Sequence, residues 1–262
     1  MTSPQPETTC DRFLDGRVRI VQPRKGYRAA TDAVLLAAAV PAQPGQAVLD
    51  LGCGVGTAAL CLASRQPGLT LCGVEIQADY AELARKNALA NEAKLRVFTC
   101  DVRSLPDELR QIGFDHVMMN PPFYRSRSGP PSDNPGRDLA NREQAADLAA
   151  WIEAGLRRLL PGGTLCLIQR AERLDEILIA LGSTVGGTQL LPIASHPEHP
   201  AKRTIIRTVK GSRAPLTLLP PLTLHTACAD ENMPTRYTEH AETILRHGKE
   251  LLPVARLGGS RD

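Results

Sequence analysis

The stretch from Ala47 to Leu60, AVLDLGCGVGTAAL, constrains this chain more than any other. Val48, Leu49 and Leu51 suit a strand buried on both faces, and the run that begins at Thr57 reads as a helix. Between them Gly52, Gly54 and Gly56 stand at alternate positions, with Cys53 inside the turn. Residues without Cβ let the backbone reverse sharply and leave it open where a side chain would block a ligand. A strand, glycine turn and helix of this kind open a βαβ unit. In doubly wound α/β sheets ligands sit at the carboxyl ends of the strands, beside such a turn. Asp50, late in the strand, places a carboxylate there. The spacing is G-x-G-x-G, not the G-x-G-x-x-G of dinucleotide binders, so the pattern does not ask for a pyrophosphate on the helix N-terminus.

The rest of the chain repeats the alternation. Leu69 to Ile76 reads as a second strand ending in Glu75, about 20 residues past the glycines, where nucleotide-binding α/β folds carry the acid that accepts from a ribose. The alternative is a strand-end acid facing water. A helix from Ala78 to Asn91 precedes a third strand, Leu95 to Cys100, with Asp101 at its tip, either accepting from an adenine amine or capping a helix. FDHVMMN, from Phe114 to Asn120, is the fourth strand and TLCLIQ the fifth. A helix from Arg142 to Leu160, stopped by Pro161-Gly162-Gly163, lies between them, and another runs from Glu172 to Leu181. Gln189 to Ala194 and Thr204 to Lys210 supply two more strands. Strands alternating with helices over short connections imply an α/β, doubly wound, Rossmann-like fold: a mostly parallel seven-stranded sheet with helices on both faces. One domain is expected over residues 16–255, with a flexible segment at 1–15 and a frayed one at 256–262. Thr31 is the expected N-cap of a helix TDAVLLAAAV that Pro41 ends.

Composition excludes more than it identifies. Seven cysteines without a C-x-x-C spacing read as free thiols of a reducing compartment, so a cytoplasmic location is expected. The first residues lack the basic-then-apolar pattern of a signal peptide, and no apolar run is long enough to span a bilayer, so no membrane is expected. His196 and His199 have an H-x-x-H spacing, but prolines interrupt it and no further ligands accompany it, so no metal is expected. The formal charge of +3 is small, yet GRVRIVQPRKGYR, from Gly16 to Arg28, holds five basic residues and no acid. It is either a solvated edge hairpin or a wall facing a polyanion.

Asn120-Pro121-Pro122-Phe123 turns the argument from ligand to substrate. The run resembles the N-P-P-[FY] motif of methyltransferases that act on planar amino groups, and the resemblance implies that the Asn120 oxygen and the Pro121 carbonyl accept both hydrogens of such a group, drawing its lone pair out of conjugation. Phe123 or Tyr124 offers a flat face on which a base can stack. No general base is needed before such an amine is alkylated.

The glycine turn resembles motif I of S-adenosylmethionine-dependent methyltransferases, and Asn120 to Phe123 resembles the N-P-P-[FY] motif of those acting on adenine N6, cytosine N4 or the glutamine amide of release factors. Together with Q-x-x-x-G-Y-R-x-x-T-D-A-x-L-L from Gln22 to Leu36, the chain resembles the bacterial tRNA adenine-N6 methyltransferase family that modifies an anticodon-loop adenine. The resemblance implies a class I methyltransferase fold, S-adenosylmethionine as cofactor and RNA, most often tRNA, as partner. It implies cofactor contacts from Arg28, Thr31, Asp32, Asp50, Gly52, Cys53, Gly54, Gly56, Glu75, Ile76, Asp101, Val102 and Asn120, with Asn120, Pro121, Pro122, Phe123 and Tyr124 at the reacting amine. A release-factor methyltransferase is the rival reading. Such enzymes carry a helical domain ahead of motif I, whereas 46 residues precede Ala47 here.

Overall fold

The computed structural model describes residues 7–122, 148–226 and 236–251. Its framework is a nine-stranded sheet. Strands β3 (Ala47–Leu51), β4 (Thr70–Glu75), β5 (Leu95–Thr99), β6 (Phe114–Met119) and β7 (Leu159–Arg170) run parallel to their neighbours, in the order β5-β4-β3-β6-β7. β9 (Arg203–Lys210) then inserts antiparallel between β7 and β8 (Val185–Ala194). These are the seven strands expected. Two more, β10 (Thr217–Leu218) and β11 (Leu222–Thr223), are two residues long each and pair with β8, so the count of seven is corrected to nine. Pieces this short carry no period-2 pattern for a sequence reading to detect.

Strand order reverses at β3, which has β4 on one side and β6 on the other. The crevice outside the carboxyl ends of β3 and β6 is therefore where such a sheet binds its ligand. Alternate residues of the central strands feed opposite layers. Val48, Met118, Cys166, Ile168 and Ile205 join the core beneath α1 (Thr31–Ala39), α2 (Thr57–Arg65) and α7 (Glu239–Leu245). Leu49, Leu51, Val117, Met119, Leu165, Leu167 and Ile206 join the core beneath α4 (Asp107–Arg110), α5 (Leu148–Arg158) and α6 (Leu174–Leu181). The remaining helix, α3 (Ala78–Ala90), covers β4 and β5.

Helix α1 is buried along its whole length from Ala33 to Ala39, as its apolar composition requires. Its cap residue is Ala30, with no side-chain cap bond, so Thr31 is the first helical residue and not the N-cap expected of it. The segment expected to be flexible at 1–15 contains β1 (Thr8–Phe13), which pairs antiparallel with β2 (Val18–Pro23). Leu14, Val18 and Ile20 from this hairpin are in the core, which is what orders it. Asn87 of α3 secures it further, accepting from Val21 N at 2.8 Å and donating to Val21 O at 2.9 Å. The helix expected over 142–160 is described from Leu148 and ends at Arg158. β7 begins at Leu159 and absorbs Pro161 to Gly163 in a bulge opposite β6. The helix expected from Glu172 splits into a 3₁₀ turn at Ala171–Arg173 and α6.

Candidate active site

The glycine turn follows β3 and faces the crevice. Gly52, Gly54 and Gly56 all have positive φ, at 69°, 56° and 87°. At Gly52 two demands coincide, because a Cβ there would stand 2.7 Å from Cζ3 of Trp151 on α5 and closer still to Cη2. The turn is pinned from β4: Cys53 N donates to Val74 O at 2.9 Å, and Gly54 N donates to Oε2 of Glu75 at 2.9 Å. Glu75 Oε1 accepts from Gln77 N, also at 2.9 Å. The carboxylate expected to receive a ribose thus also shapes the turn, and its unused lone pairs stay available to hydroxyl donors. Burial raises the pKa of Glu75, against the opposing bonds from the amides of Gln77, Gly54 and Ile76. Ile76 itself is exposed beside this carboxylate and Val102 is buried.

Asp50 is 3% exposed, and burial carries its pKa up to about 8 against a bond from the Ala59 amide, with Glu75 adding to the rise. A cationic group bound next to it would favour the carboxylate again. Asp50 Oδ2, Thr57 Oγ1, Trp151 Nε1 and Asn120 Oδ1 are buried with no hydrogen-bond partner among the described residues. Buried polar groups are nearly always paired, so three around the turn and the adjoining strand end, with a fourth on the Trp151 ring that packs at Gly52, mark a place built for a polar ligand. S-adenosylmethionine, with ammonium, carboxylate, ribose and adenine groups, fits this donor and acceptor set.

Asn120 and Pro121 follow directly on β6, across the switch point from the glycine turn. The two prolines are anchored through their carbonyls. Gln169 at the end of β7 donates from Nε2 to Pro121 O at 3.1 Å, and the buried Arg173 donates to Pro122 O at 3.2 Å while pairing with Glu176 at 2.9 Å. Asn120 donates from Nδ2 to Tyr27 Oη at 3.2 Å. Phe123 and Tyr124 lie outside the described residues.

Arg28, Asp32 and Asp101 of the expected cofactor set each hold a partner within the protein. Arg28 donates to Pro23 O at 2.7 Å and Thr9 Oγ1 at 2.8 Å and pairs with Asp11 at 2.5 Å, so its guanidinium is committed to the hairpin. Asp32 pairs with Arg203 at 3.1 Å, which ties α1 to β9 beside Thr31. Asp101 accepts from Arg103 N at 2.8 Å and pairs with the same arginine, which holds its pKa below the usual carboxylate value. Sequence reading passed over Tyr27, Trp151, Gln169 and Arg173. Tyr27 is inside the quoted Gly-Tyr-Arg segment and Trp151 is the sole tryptophan, but nothing local says where either side chain ends.

Fold and site together define a class I, Rossmann-like methyltransferase. The methyltransferase small domain family matches residues 29–132. A solved structure described as a predicted O-methyltransferase from Agrobacterium tumefaciens superposes with a TM-score of 0.67 at 27% identity, over 84% of this chain and 98% of that one. The tRNA1(Val) (adenine(37)-N6)-methyltransferase of Porphyromonas gingivalis strain ATCC 33277 is 31% identical over 74% of this chain and 79% of its own length. The protein of that name from Tolumonas auensis is 29% identical over 79% of this chain and 81% of its own. The chain belongs to the tRNA1(Val) (adenine(37)-N6)-methyltransferase family.

Proposed function

We propose that this protein methylates the exocyclic amine of an adenine in RNA, in the anticodon loop of a tRNA, with S-adenosylmethionine as donor. The observation that carries the reading is Asn120 Oδ1, a buried acceptor with no partner among the described residues, beside the Pro121 carbonyl at the carboxyl end of β6. An adenine N6 has two hydrogens to give and a lone pair delocalised into its ring. Asn120 Oδ1 and Pro121 O would accept those hydrogens, localise the lone pair and aim it. Gln169, bonded to Pro121 O, keeps that carbonyl in place while leaving it a second lone pair. When bound, S-adenosylmethionine supplies a methyl group on a cationic sulfur, which needs no activating base from the protein. On the cofactor side, Asp50 and Glu75 present carboxyl groups at the glycine turn. Phe123 or Tyr124 would stack on the base.

A loop adenine suits the site because it can be splayed out cheaply, whereas a duplex base must first be flipped from its stack. RNA also accounts for the basic hairpin, where Arg19, Arg24 and Lys25 are carried on and just beyond β2. Among the described residues no helix is long and apolar enough to cross a membrane, and no cluster of metal-binding side chains occurs. The described cysteines are free thiols, in keeping with a reducing cytoplasm where tRNA is modified.

The test is transfer from labelled S-adenosylmethionine to a tRNA transcript and, in parallel, to a release-factor protein, with the product read as N6-methyladenine or methylglutamine. N6-methyladenine is expected, and Asn120→Ala should lower turnover by about 100-fold or more. Methylglutamine would overturn the RNA reading, and full activity in Asn120→Ala would overturn the role of Asn120.

A further inference from the structure

Tyr27 stands in the loop between β2 and α1, far in sequence from Asn120 but bonded to it. Its backbone carbonyl accepts from Tyr80 Oη of α3 at 3.1 Å, and its ring edge lies 3.8 Å from where a Cβ of Gly54 would be. The residue therefore bridges the cofactor turn and the substrate asparagine. A primary amide has one acceptor end and one donor end, exchanged by a half-turn about its last side-chain bond. Only one of the two orientations lets Asn120 accept a hydrogen from a substrate amine. In the other, its own NH₂ would meet that amine donor to donor. In this structure Nδ2 is taken by Tyr27 Oη, and Oδ1 is buried with no partner among the described residues.

We infer that Tyr27 is a positioning residue, whose phenol oxygen accepts from Asn120 Nδ2 and thereby holds the amide with Oδ1 toward the substrate amine. The inference rests on the reading of Asn120 as that amine's acceptor. A hydroxyl can donate as well as accept, so something must keep Tyr27 from turning its proton on Oδ1 and stabilising the wrong orientation. Asp32, Asp50 and Glu75 all lie close enough to act on this phenol. A hydroxyl proton turned toward the charges of Asp32 and Glu75 is the favoured one, and it leaves a lone pair for Asn120. Although Tyr27 is 43% exposed as a residue, the protein packed around its phenol, and then the same acids, raise its pKa above that of an ordinary tyrosine, so the neutral phenol persists across the working pH range.

The experiment is a double-mutant cycle on the full chain, with Tyr27→Phe, Asn120→Ala and the combined variant assayed for methyl transfer to a tRNA transcript. Tyr27→Phe keeps the ring against the glycine turn and removes only the oxygen. It is expected to lower kcat by about 10-fold, as one lost hydrogen bond in the transition state would, with KM for both substrates within about twofold. In the Asn120→Ala background the same change should cost nothing further. A Tyr27→Phe enzyme with wild-type kcat, one affected only in KM, or one losing the same factor with and without Asn120 would each overturn the inference. A melting midpoint that falls together with kcat would also overturn it, since the role would then be structural. Full activity in Asn120→Ala alone is a different result, which overturns the role of Asn120 as the amine's acceptor, on which the inference rests.

Discussion

Replacing Gly52 by alanine tests how the cofactor turn is built. The position has φ +69°, and a left-handed conformation costs an L-residue roughly 1–2 kcal/mol. The added Cβ would also overlap the Trp151 ring, and forcing a bulky neighbour aside in a packed region costs about 1–3 kcal/mol. Gly52→Ala should therefore lose about 3 kcal/mol of stability in urea unfolding followed by far-ultraviolet circular dichroism. The two contributions can be separated with Trp151→Leu. That change leaves a cavity and is destabilising alone, but it removes the steric part of the Gly52→Ala cost. The double variant should then be more stable than the sum of the single effects by more than about 1 kcal/mol, the residue being the backbone strain. Additivity within about 0.5 kcal/mol would show that the ring and the turn are not in contact. A Gly52→Ala chain as stable as wild type would show that the turn does not need its left-handed geometry.

Glu75→Ala should weaken binding of S-adenosylmethionine in calorimetry, because it removes the carboxylate at the ribose position and frees the Gly54 amide that shapes the turn; unchanged affinity would remove Glu75 from the cofactor site. His116 is held neutral, with burial lowering its pKa to about 4, Nε2 bonded to Gln46 Oε1 at 2.9 Å and Nδ1 buried with no described partner. Its pKa is depressed on folding, so its contribution is complete above about pH 6.5 and is lost as pH falls toward 4, by about 3 kcal/mol in all. His116→Gln should flatten unfolding stability against pH over that window, and parallel profiles would refute the assignment. RNA affinity should fall steeply with salt, and joint Arg24→Ala and Lys25→Ala should reduce the slope of log affinity against log salt by about 1–2. An unchanged slope would return the hairpin to a purely structural role.

Much of this protein is legible along the chain because its signals are local. Buried strands announce themselves as apolar runs, so the seven long strands of the sheet could be located from sequence, although β7 starts at Leu159 and β8 at Val185, ahead of the expected Thr164 and Gln189. The glycine turn, Glu75 and Asn120-Pro121-Pro122 stand where the sequence placed them, each at the end of its own strand, and strand ends converge in a doubly wound sheet. What could not be read is whatever depends on pairing between distant segments. β1 reads as a polar terminus and becomes ordered only because the hairpin it completes buries Leu14, Val18 and Ile20. Arg28 and Asp101 carry the right charge at expected positions, yet the fold gives each a nearer partner, Asp11 and Arg103. Trp151 reaches Gly52 across 99 positions of sequence, and Tyr27 reaches Asn120 across 93, so no periodicity or spacing could report either contact. Sequence determined which chemical groups arrive at the carboxyl edge of the sheet. Tertiary structure decided which of them already hold partners within the protein, because hydrogen bonds and ion pairs form with whichever groups the packing brings within reach.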